Sequence, residues 1–104
     1  MSVIMLQSAK GDPRRLEEHI AQNREAIDEI LARANEHGLV AHRFYGSEGQ
    51  IMIADEWPDE ESFVRFAEAA RPLIVPMFEA AGVTVEPPTF WRKLDTQDDV
   101  GWGA

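Results

Sequence analysis

The sequence predicts a single α+β domain of strand–helix–strand–strand–helix–strand order, built on a sheet that is apolar on both faces. Three observations carry that expectation. Two amphipathic segments begin at recognisable caps, Asp12-Pro13 and Pro58-Asp59, and a pair of strand-like runs lies between them. Residues 3–6 and 51–54 are consecutive apolar residues without in/out alternation, the pattern of strands covered on both sides. A chain of 104 residues supports one modest core and has no room for a second domain.

The first strand is the run from Val3 to Gly11, too short for a buried helix. Asp12 then serves as N-cap and Pro13 as first helical residue. Leu16, Ile20, Ile27, Ile30, Leu31 and Ala34 share a stripe at about 100° per residue. One helix is therefore expected up to His37, with Gly38 as its left-handed stop. Residues 39–45 read as the second strand, residues 46–49 as a hairpin turn, and residues 50–57 as the third strand. Pro58 ends it, Asp59 caps the second helix, and Phe63, Phe66, Ala70, Ile74, Met77 and Ala81 keep helical phase to Gly82. Pro72 and Pro76 fall inside this segment, so a break near Arg71 is expected, because each proline removes a donor and crowds the preceding turn. Residues 83–86 and 89–94 form a last strand that Pro87 and Pro88 confine to a sheet edge. The domain is thus residues 1–94, and residues 95–104 are an acidic tail.

This order is the ferredoxin-like split βαβ unit: a four-stranded antiparallel sheet, central first and third strands, and both helices on one face. The other apolar face then needs a cover, and the same face of a second copy is the simplest one. The alternative is a monomer whose tail folds back over the sheet with Trp102 as anchor. A formal net charge of −9 disfavours nucleic acid and anionic membranes as partners. No segment is long and apolar enough for a bilayer, and with no cysteine the cytoplasm is the expected compartment.

Residues 54–63, Ala-Asp-Glu-Trp-Pro-Asp-Glu-Glu-Ser-Phe, resemble a strand-turn-helix stretch of the dimeric α/β-barrel superfamily, in particular its antibiotic-biosynthesis-monooxygenase group. The resemblance implies a homodimeric α/β barrel joined through the sheet faces and a pocket between helices and sheet. It also implies oxidation of a small aromatic or polyketide-like molecule without metal or flavin. The haem-degrading branch uses an Asn, a Trp and an axial His; the corresponding positions here are Gln7, Phe66 and Val75, and Val75 cannot ligate iron. No cofactor is therefore expected. Nor is a metal, because the three histidines are scattered and no H-x-H or H-E-x-x-H occurs.

Each candidate site residue has a plainer reading beside the functional one. His42, on the second strand, suits general-base work on a phenolic proton, or is a surface or dimer-contact histidine. Trp57 and Phe44 line a pocket, or Trp57 plugs the core. Phe63, Phe66 and Met77 make a stripe that is core first and pocket wall second. Asn23 falls inside the apolar stripe of the first helix, where its amide must bond a ligand, a strand or a water. Asp55 shares a face with Trp57, and an ion pair with Arg43 or Arg92 is its expected role. The resulting reading is a cofactor-independent, monooxygenase-like enzyme; the alternative is a non-catalytic dimer that binds a small ligand or is associated with stress.

Overall fold

A computed structural model describes residues 1–102. Strand β1 (Val3–Lys10) leads into α1 (Pro13–Gln22) and α2 (Arg24–Glu36). The hairpin β2 (Ala41–Ser47) and β3 (Gln50–Trp57) follows, then the long helix α3 (Glu60–Ala81) and the short strands β4 (Thr84–Val85) and β5 (Thr89–Trp91). The sheet is antiparallel in the order β2-β3-β1-β4, with β5 also paired to β1. The two runs without alternation therefore do occupy the central strands, and the fold is ferredoxin-like. Pro87 and Pro88, which cannot donate to a ladder, divide the last strand into β4 and β5 along one edge, giving five strands where four are expected.

The expected barrel is corrected by this topology. A barrel requires the terminal strands of a sheet to pair with each other. Here β2 lies at one end of the strand order and β4 with β5 at the other, so the sheet is open. Edge strands of two and three residues, separated by prolines, offer no continuous ladder on which a sheet could close.

Two further differences concern the helices. The first amphipathic segment is two helices, because Asn23 leaves helical geometry at φ −130°, ψ 44° and its side-chain amide donates to the His19 carbonyl at 2.7 Å. An Asn side chain that competes for a backbone carbonyl in this way favours a helix end. The second segment, by contrast, does not break at Arg71; α3 runs unbroken through both prolines. Pro72 and Pro76 are one turn apart on the exposed side, and the carbonyls they leave without a helical donor, at Glu68 and Pro72, are on the same wet face. Water can satisfy those carbonyls, so the helix tolerates both residues. Asp59 caps α3 by accepting from the Ser62 backbone N–H at 2.7 Å. Ser62, through its hydroxyl and then this N–H, holds the Asp59 carboxyl below its ordinary value of 3.8.

All three helices cover one face of the sheet. There Met5, Ala9, Ile51, Ile53 and Trp57 meet Leu16, Ile27, Ile30, Phe63, Phe66 and Ala70 in one buried core. Gly46 brings β2 against the start of α1, since a Cβ there would sit 2.8 Å from that of Pro13. The opposite face carries Ile4, Leu6, Met52, Ala54, Tyr45 and Trp91 on neighbouring strands, and Tyr45 and Trp91 are more than half exposed. The tail does not cover it: residues 92–102 add no helix or strand, and Trp102 remains 89% exposed. The last two residues of the expected tail lie outside the described residues.

Candidate functional site

Between the helices and the covered face of the sheet lies a cavity of about 530 Å³. Its floor is Met5, Gln7, Ile53, Asp55 and Trp57 from the central strands, with His42 and Phe44 from β2. Its walls come from α2 and from the 67-71-74-75-78 stripe of α3. The volume falls within the usual range for small-molecule sites. Six of the seven candidate residues, His42, Phe44, Trp57, Phe63, Phe66 and Met77, come together on this lining. Asn23 is not among them. The break between α1 and α2 turns its side chain outward, where it is exposed and bonded to His19. The phase of an unbroken helix misplaced it.

The polar centre of the floor is an array of three side chains. Asp55 is 6% exposed, and each of its carboxylate oxygens has a partner. His42 Nδ1 lies 2.7 Å from Oδ1, and Trp57 Nε1–H donates to Oδ2 at 3.1 Å. Register explains the contact, because His42 and Asp55 are directly opposed across the β2–β3 hairpin and Trp57 is two residues along the same face. A carboxylate can only accept, so Nδ1 carries a proton, and in the neutral imidazole Nε2 is then the nitrogen with the free lone pair. Phe44 packs edge-on against the imidazole at 4.9 Å, and Trp57 packs against Phe63 and Phe66 at 5.8 and 5.2 Å. Aromatic rings thus hold the array in place and keep its surroundings apolar.

Asp55 pairs with His42 and not with the expected arginine. Arg43 does not reach it; Arg43 is on the opposite face and donates to the Tyr45 hydroxyl at 3.3 Å. The signal was available, since counting outwards from the Ser47–Gln50 pair places His42 opposite Asp55. It required the turn to be Glu48-Gly49 alone, with Gly46 and Ser47 inside the strand. The other polar groups on the lining are Gln7, which donates to the Glu86 carbonyl at 2.9 Å, Arg71, Glu79 and Thr84. Among the described residues no group of three or more His, Asp or Glu side chains is placed to hold a metal ion. No helix among them is long and apolar enough to cross a membrane.

No family model matches the sequence, and no curated protein aligns with it significantly. Solved structures do match. SnoaB, a cofactor-independent oxygenase from Streptomyces nogalater, is 19% identical with a TM-score of 0.61, over 94% of this chain and 98% of that one. A Deinococcus radiodurans protein provisionally assigned as an antibiotic biosynthesis monooxygenase is 16% identical with a TM-score of 0.61, over 95% of this chain and 99% of that one. A dimeric ferredoxin-like protein from an uncultured marine organism is 14% identical with a TM-score of 0.60, covering 91% and 90% of the two chains. At these identities the likeness is one of fold, and the chain has the ferredoxin-like fold that recurs in antibiotic-biosynthesis-monooxygenase-like proteins.

Proposed function

We propose that this protein is a cytoplasmic, cofactor-independent oxygenase that acts on a small aromatic or polyketide-like molecule held between the helices and the sheet. The observation that carries the proposal is the His42–Asp55–Trp57 array set into a mainly apolar cavity floor. A phenolic or enolic substrate gives its proton to His42 Nε2, and Asp55 stabilises the imidazolium that forms. The resulting anion is electron-rich enough to reduce dioxygen. A C–O bond forms at the activated carbon, and the imidazolium returns its proton to the peroxide. Loss of water from the hydroperoxide then converts CH2 and O2 into C=O and H2O. Phe44, Phe63, Phe66 and Met77 keep water from the anion, and Trp57 holds Asp55 in place. The fold shared with a cofactor-independent oxygenase supports this chemistry.

The second part of the proposal is a homodimer that pairs the open sheet faces. Ile4, Leu6, Met52, Tyr45 and Trp91 form an apolar patch on neighbouring strands, and burying several hundred Å² of it at roughly 25 cal/mol per Å² favours association. A fold shared with a dimeric ferredoxin-like protein is consistent with it.

Oxygen consumption by a panel of dihydroxy-aromatic compounds tests the enzymatic reading, with protein dialysed against a chelator. At least one compound should oxidise faster with protein than without. If none does, the oxygenase reading is wrong, and ligand-dependent rises in melting temperature without turnover would favour a binding protein instead.

A further inference from the structure

We propose that the cavity selects an anionic aromatic, with Arg71 holding a carboxylate at its mouth while a phenol faces His42. The inference rests on the oxygenase reading and adds the substrate's class. Among the described residues Arg71 is the single Lys or Arg on the cavity lining. It lies on the cavity-facing stripe of α3, four residues after Ala67 and three before Ile74, so its aliphatic stem starts on the apolar wall. The residue is exposed, and its guanidinium has no hydrogen bond or ion pair among the described residues. Glu68, one turn before it on α3, makes no ion pair with it, and neither of the two carboxylates on the lining is its partner. Both oxygens of Asp55 are taken by His42 and Trp57. Glu79 is eight residues along the same helix, about 12 Å at 1.5 Å per residue.

The remainder of the protein works against anions. With a formal net charge of −9, the summed field repels a carboxylate from most of the surface, so an acidic ligand needs a local cation where it enters. Arg71 meets that need, because a guanidinium forks a planar carboxylate through two parallel bonds. Arg71 stands on α3 and His42 on β2, so two tasks fall to two elements of the lining. The anion is held on α3, and the proton is removed on β2, so the bound molecule has a carboxylate at one end and an ionisable hydroxyl at the other.

Calorimetric titration without oxygen tests the assignment, with 3,7-dihydroxy-2-naphthoic acid and its methyl ester as probes at neutral pH. The acid should bind the wild-type protein about tenfold or more tightly than the ester, an advantage that shrinks as salt is raised. Arg71→Gln should abolish the difference and leave ester affinity unchanged, whereas Arg71→Lys should retain part of it. An acid-to-ester ratio unaltered by Arg71→Gln, a preference for the ester, or binding of neither probe overturns the proposal. Arg71-dependent acid binding with no oxygen consumption by any compound leaves this assignment standing and refutes the oxygenase reading alone.

Discussion

Replacing Asp55 with Asn separates the structural role of the buried array from its chemical one. The amide has the size of the carboxylate but one donor and one acceptor end. Its oxygen can accept from Trp57 Nε1–H, the bond now made at 3.1 Å, and its NH2 then faces His42 Nδ1 at the present 2.7 Å. Every group keeps a partner only if the imidazole moves its proton to Nε2. Stability should fall modestly. Two charge-assisted bonds become neutral ones, a loss of about 1–2 kcal/mol in a group that is 6% exposed, far less than an orphaned buried charge would cost. Activity should fall by about a hundredfold or more, because Nε2 would carry a proton where the mechanism requires a base. Urea unfolding measures the first effect, oxygen uptake the second, and the imidazole 15N shifts report the tautomer directly. A folded variant whose His42 Nε2 remains unprotonated, or whose turnover is unchanged, would refute the reasoning.

Phe66→Ala should cost about 3–5 kcal/mol in urea unfolding, since the ring is buried between Trp57 and Phe63 and its removal leaves a hole. A loss below about 1 kcal/mol would mean that the aromatic cluster is loosely packed. Asn23→Ala should leave probe affinity and turnover unchanged, because the exposed amide bonds only to His19; a tenfold effect on either would return Asn23 to the site. Asp59 should titrate below 3.8 in an NMR experiment on the folded protein. A carboxylate depressed by folding stabilises above its unfolded value and loses that contribution as pH falls through the folded one, so acid should weaken α3, and Asp59→Ser should flatten that dependence. A midpoint at or above 3.8 contradicts the capping geometry. Met52→Glu places a charge in the centre of the open face and should yield a monomer by light scattering at concentrations where the wild-type protein is dimeric; equal masses for the two would exclude pairing through that face.

Much of this molecule was decided by short-range physics that a sequence displays. Asp12-Pro13 and Asp59 start helices where expected, Gly82 ends α3 in a left-handed conformation at φ 71°, and the two runs without alternation are the central strands. Pattern is enough for such features because each depends on a residue and its immediate neighbours. The open sheet, the break at Asn23 and the continuity of α3 were decided by tertiary structure. Whether a proline breaks a helix depends on whether the freed carbonyls meet water or protein, and whether an Asn ends one depends on the helix's packing as much as on its own side chain. The site divides along the same line. Residue type and phase assembled Phe63, Phe66, Met77 and Trp57 on one lining, but the His42–Asp55 contact required the hairpin register, to the residue. A slip of one position would have turned His42 to the opposite face and left Asp55 buried without its partner.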